Sequence, residues 1–106
     1  MAAAVRRGRD ELIGGNLRHL RVYLAVTETG SVTPAAERAR MSQPAVTQAM
    51  TRLTALAGAP LLVRAPEGFV PTEAGRILER RARRAFGLLD AALAEVAGRL
   101  VLTARR

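Results

Sequence analysis

The stretch SVTPAAERARMSQPAVTQAMTRL, residues 31–53, constrains the fold more than any other part of the chain. It holds two helix-forming segments with only Ala39-Arg40-Met41 between them. Ser31 or Thr33 caps the first segment and Ser42 the second, accepting from backbone N–H groups that a helix start leaves unpaired. Pro34 and Pro44 fall in the first turns, where a missing N–H costs nothing. A break of about three residues has the length of a helix-turn-helix connection. Ala35, Ala36 and Ala39 give the first segment a thin face that lets another helix approach closely. In the second, Ala45, Val46, Ala49, Met50, Leu53 and Leu56 recur at helical spacing and form the inward stripe. Gln43, Thr47, Gln48, Thr51 and Arg52 then fall mostly outward, and Gly58 and Pro60 end the helix.

The flanking segments complete the architecture. Asn16 sits where an N-cap belongs, and Leu17, Leu20, Tyr23, Leu24 and Thr27, with Val26 beside them, mark a helix ending near Gly30. Residues 61–64 and 69–70 are short apolar pieces around Ala65-Pro66-Glu67-Gly68, which predicts a small hairpin leaning on the helices. Thr72 opens a last helix. Along it Ala82, Phe86, Leu89, Leu93, Val96 and Leu100 alternate at intervals of four and three, a heptad seam that a second copy of the helix would cover. Residues 1–15 lack periodicity and read as a flexible arm. The expected fold is mainly α: a winged helix-turn-helix over 16–71, with a three-helix core and a small β-hairpin wing, then a linker and dimerisation helix over 72–102.

Composition narrows the function. The 106 residues suffice for one domain, and 49% are hydrophobic but only 3% aromatic, so Leu, Val, Ile and Ala must build the core. All 17 basic residues are Arg, and the net charge is +8. Such a domain attracts polyanions, with nucleic acid the leading partner class and an anionic membrane surface second. There is no Cys and therefore no disulfide framework or thiolate chemistry. No apolar run approaches the roughly 18 residues of a membrane span. The N-terminus lacks a signal-peptide core, so the cytoplasm is the default location. His19 is the only histidine and has no companions for a metal site. No paired carboxylates or phosphate-binding glycine loop point to an enzyme, and Ser31 and Ser42 serve better as caps than as nucleophiles. Neither a cofactor nor a metal is expected.

An outward helix face with a single charge is unusual in so basic a chain. Phosphates call for cations, whereas base edges call for neutral donors and acceptors. Gln pairs with adenine, Thr donates, accepts or touches a thymine methyl, and Arg pairs with guanine. The face of residues 42–56 suits base reading, with affinity supplied by arginines elsewhere, including Arg76, Arg80, Arg81, Arg83 and Arg84.

The pieces NLRHLRVYLAV, GSVTPAAERA, SQPAVTQAMTRL and PTEAG after LVR, from Asn16 to Gly75, resemble the N-terminal DNA-binding domain of LysR-type transcriptional regulators. The resemblance implies a winged helix-turn-helix whose linker helix pairs antiparallel with its copy. It implies that Ser42–Leu56 is the recognition helix, with Gln43, Pro44, Thr47, Gln48 and Arg52 toward the groove of double-stranded DNA. Ser31, Thr33 and Ser42 would sit near phosphates and Arg64 on the wing. The chain departs from the pattern at Gln48, where the family often has a cation, and at Thr54, where it usually has Glu. Ala39 and Ala57 replace Leu, and Leu62 replaces Phe. Family members carry an effector-binding domain after the linker helix, and none is expected within these residues. An interaction module is the alternative: a short chain with the linker helix forms a heterodimer with a full-length relative.

Overall fold

The computed structural model describes the backbone of residues 2–15 and 17–104, and the side chains of 2–7, 9–10 and 17–99. Five helices and one hairpin follow in order: α1 (Ala2–Gly15), α2 (Leu17–Thr29), α3 (Val32–Ala39), α4 (Gln43–Ala57), β1 (Leu62–Ala65), β2 (Gly68–Pro71) and α5 (Glu73–Ala104). No helix among the described residues is long and apolar enough to cross a membrane.

The segment expected to be a loose arm is helical instead. Its alanines and arginines favour helix, and no proline interrupts it. Ala4, Val5 and Arg9 line one side of a shallow hollow whose other side is Leu53, Leu56, Ala57 and Leu78. The sequence shows no periodicity here because the apolar contact is this small. Asn16, expected to cap α2, lies outside the described residues.

Helix α2 is the centre of the domain. Leu20, Val22, Tyr23, Leu24, Ala25 and Val26 are all buried. The expected stripe is thus wider than the spacing suggests: Val22 and Ala25 join it, while Leu17 stays 41% exposed. Two side-chain clusters meet on this helix. One joins Val22, Ala25 and Val26 to Ala35 and Ala36 of α3 and Val46 and Ala49 of α4. The other joins Leu20, Tyr23 and Leu24 to Leu53, Leu61 and Ala82. Burying Leu53 alone contributes on the order of 2 kcal/mol. The alanines of α3, without bulk, bring it against α2.

The hairpin pairs antiparallel, with Leu62 opposite Pro71, Val63 opposite Val70, Arg64 opposite Phe69 and Ala65 opposite Gly68. The wing is tied to the rest by backbone: the Phe69 N–H donates to the Gly30 carbonyl at 2.8 Å. Gly68 has φ 123°, and a Cβ there would collide with the Gly30 oxygen. Only glycine meets both demands.

The chain re-enters the core at one junction. Thr72 caps α5: its Oγ accepts from Gly75 N–H at 3.0 Å and donates to the Pro60 carbonyl at 2.6 Å. The Thr72 N–H donates to the Leu61 carbonyl at 3.0 Å. The buried Tyr23 hydroxyl donates to the Gly75 carbonyl at 3.0 Å, with the Leu61 carbonyl 3.4 Å away. A Cβ on Gly75 would strike the Leu61 oxygen and lie 2.6 Å from the Tyr23 hydroxyl.

Burial, reinforced by the Glu79 carboxylate, pushes the Tyr23 phenol up to about 12. The protonated form is therefore the one the fold favours. Its contribution is complete below the unfolded value of about 10 and is lost as pH rises toward about 12, a fall of ~2–3 kcal/mol. Tyr23→Phe is expected to lower stability at neutral pH by about 1–2 kcal/mol and to flatten the alkaline fall. Urea titrations of both proteins at a series of pH values measure both effects.

Candidate nucleic-acid interface

The outward face of α4 is set by the two caps on either side of the turn. Helix α3 ends at Arg40, whose φ of 55° and ψ of 48° are left-handed. In that conformation the Arg40 N–H reaches the Glu37 carbonyl at 3.2 Å and the Met41 N–H reaches the Ala36 carbonyl at 2.9 Å. This closes the helix as a glycine would, although Arg carries a Cβ penalty of about 1 kcal/mol there. Arg18 of α2 steadies the turn from outside, its Nη2 lying 3.4 Å from the carbonyls of both Ala39 and Arg40.

Ser42 then starts α4 in extended conformation, and its Oγ accepts from the Ala45 N–H at 3.2 Å. Pro44 lies in the first turn. Val46, Ala49 and Leu53 are buried in the core. Ser42, Gln43, Pro44, Thr47, Gln48, Thr51 and Arg52 are all exposed on the other side. Thr47, Gln48, Thr51, Arg52 and Ala55 line one shallow groove along it. The Thr51 hydroxyl donates to the Thr47 carbonyl at 3.1 Å, which leaves its oxygen lone pairs and methyl group outward.

The surroundings are electropositive. No acidic residue occurs between Glu37 and Glu67, whereas Arg38, Arg40, Arg52 and Arg64 do. Arg64 is exposed on β1, and its guanidinium lies 5.0 Å from the centre of the Phe69 ring opposite. That contact holds the charge over the wing and contributes roughly 0.5–1 kcal/mol. Ser31 stands at the N-cap position of α3, but its side chain makes no capping hydrogen bond. The Thr29 hydroxyl does the tying, donating to the Ala25 carbonyl at 2.8 Å with the Ser31 carbonyl 3.0 Å away. Thr33 is exposed one turn short of the buried alanines. Ser31 and Thr33 thus lie at the start of α3, Ser42, Gln43, Pro44, Thr47, Gln48 and Arg52 on α4 and its cap, and Arg64 on the wing.

The seam on α5 divides in two. Ala82, at 4% exposure, is buried in this chain's own core, and Phe86 packs beside it under Arg21. Ala82 is therefore turned inward and is not free for a second copy, whereas Phe86 is half-buried. Leu89, Leu93 and Val96 are 50%, 70% and 56% exposed, with Leu88 alongside at 64%. The Leu100 side chain lies outside the described residues. Among the described residues no group of three or more His, Cys, Asp or Glu could hold a metal ion.

A helical turn, an outward neutral face and a hairpin beside it define a winged helix-turn-helix domain. Residues 17–76 match the family model for bacterial regulatory helix-turn-helix proteins of the lysR family. The chain belongs to that family. It is 41% identical over 68 residues to the nitrogen assimilation regulatory protein nac of Klebsiella aerogenes, covering 64% of this chain and 22% of that protein. It is 38% identical over 96 residues to the transcriptional regulator PtxR of Pseudomonas aeruginosa, covering 84% of this chain and 31% of that protein. The chain thus spans less than a third of the curated relatives it matches. Among solved structures, the CbnR DBD–DNA complex superposes with a TM-score of 0.69 at 34% identity, covering 76% of this chain and 93% of that one. The BenM DBD/catB site 1 DNA complex gives 0.70 at 29%, covering 74% and 85%.

Two substitutions test the caps. Ser42→Ala is expected to cost about 1 kcal/mol, and Arg40→Gly to gain about 1 kcal/mol by relieving the left-handed penalty. Denaturant midpoints measured on the two variants and the parent check both signs.

Proposed function

We propose that this domain binds double-stranded DNA with sequence preference, as part of a transcriptional regulator, with α4 in the major groove. The observation that carries the reading is the exposed neutral row Gln43, Pro44, Thr47 and Gln48, held out by the Ser42 cap in a region free of acids. Neutral amide and hydroxyl groups discriminate bases, and arginines around them hold phosphates. Arg52 completes the reading face, Ser31, Thr33 and Ser42 approach phosphates, and Arg64 reaches the backbone from the wing. The CbnR and BenM domains it resembles are both solved with DNA, which supports the same use here.

The exposed row Leu89, Leu93 and Val96 supports a homodimer through α5, each subunit presenting one α4 to a groove about 34 Å from the other. The same row would accept the matching helix of a full-length relative, giving a heterodimer. The work is binding alone. It calls for no cofactor and no catalysis, and it belongs in the cytoplasm, where bacterial DNA lies.

Selection of bound sites from a random duplex pool tests the reading directly. Enriched two-fold symmetric sites are expected, and an unenriched pool would end the proposal. If roughly six phosphates are neutralised, log K falls with log salt at a slope near −5. Gln43→Ala and Gln48→Ala are each expected to lose about 1–3 kcal/mol of discrimination at particular base pairs while keeping the salt slope. Leu93→Glu is expected to shift sedimentation from dimer to monomer, since it places like charges on the paired row.

A further inference from the structure

Glu28 belongs to none of the wing, the turn and the outward face of α4. Its carboxylate sits at the end of α2 and takes one arginine on each oxygen. Arg38 of α3 donates to Oε2 at 2.5 Å, and Arg83 of α5 donates to Oε1 at 2.7 Å. Arg83 also reaches Glu79 at 3.1 Å, one turn back on its own helix. These arginines hold the Glu28 carboxyl below the usual carboxylate range, the Arg83 hydrogen bond first among the causes. Two turns earlier on α2, the Arg21 guanidinium lies 5.2 Å from the centre of the Phe86 ring of α5. Helices α2, α3 and α5 are thus joined on one side by a single anion.

The joint matters because of what lies beyond it. Every described side chain of α5 from Gly87 to Arg99 is exposed, so the angle of this outer part is decided between Ala82 and Phe86. Leu93 stands 11 residues past Ala82, about 16 Å along the helix. A tilt of about 10° moves it by about 3 Å, close to the ~3.4 Å rise of one base pair. Helix α3 in turn carries the short turn that aims α4.

We propose that Glu28 is a positioning residue for half-site spacing: by bracing α3 and α5 on one carboxylate, it fixes the angle between the reading helix and the paired helix. The inference rests on the DNA-binding dimer reading above. Losing the brace leaves each half-site read as before and relaxes the separation at which both can be read together.

The test uses sites selected from a random duplex pool by the parent, then a panel in which the half-site separation is changed by single base pairs. Glu28→Gln and Glu28→Ala are each expected to reduce discrimination between the preferred separation and its neighbours about threefold, in line with exposed ion pairs. Base preference within a half-site is expected to stay unchanged. Glu37→Gln, the same charge change on α3 next to Arg38, is expected to keep the parent's discrimination. The proposal is overturned if the two clamp variants retain the parent's spacing preference, if they lose affinity equally at every separation, or if Glu37→Gln relaxes spacing as they do. A parent that enriches no site removes the DNA reading itself and this inference with it, a result distinct from the other three.

Discussion

The Tyr23 hydroxyl occupies the one place where the ends of the domain converge. The end of the α4 loop at Leu61, the start of α5 at Gly75 and the middle of α2 meet there within hydrogen-bonding distance. Two carbonyls that would otherwise be buried near an apolar cluster are answered by one phenol and by the Thr72 backbone. A buried hydroxyl left unpaired costs about 1–3 kcal/mol, so the phenol needs these carbonyls as acceptors and ties them together in finding them. Gly75 is the matching requirement, because the two backbones pass too closely for a Cβ. From this junction the wing is launched on one side and the long helix on the other. Their positions relative to α4 follow from it.

Charge is sorted just as strictly as bulk. Glu28 and Glu79 lie against α3 and α5 arginines, away from α4. The reading face has no acid near it in sequence, and its own groups are mostly uncharged. On the proposed reading, a duplex approaching that side would meet attraction from a distance and neutral groups at contact. Attraction at range governs encounter and affinity, and contact chemistry governs choice. The separation lets each be changed without the other.

Much of this arrangement is legible in the residues. Pro34, Pro44 and Ser42 mark helix starts, Gly30 and Gly58 mark helix ends, and both glycines do take positive φ. Local rules of this kind act over three or four residues, so a single sequence displays them. What depends on distant partners stays hidden. Glu28 and Arg83 are 55 positions apart, and no spacing rule connects them. The heptad run on α5 is continuous on paper, yet Ala82 and Phe86 pack on the chain's own core, while Leu89, Leu93 and Val96 are exposed. Periodicity reports that a face is apolar, not which neighbour covers it. Helix α1 shows the opposite failure, since a helix with few apolar contacts leaves almost no pattern to detect.

The hydrogen bond from Phe69 to Gly30 has a consequence for how the protein behaves in a crowded solution. A two-stranded ribbon has two open edges, and open edges recruit strands from other molecules. On β2 the Phe69 N–H is already engaged by Gly30, and Pro71 has no N–H to offer. That rim therefore presents few donors to a stray strand. The opposite rim carries Arg64, whose like charge on every copy keeps ribbons from zipping together.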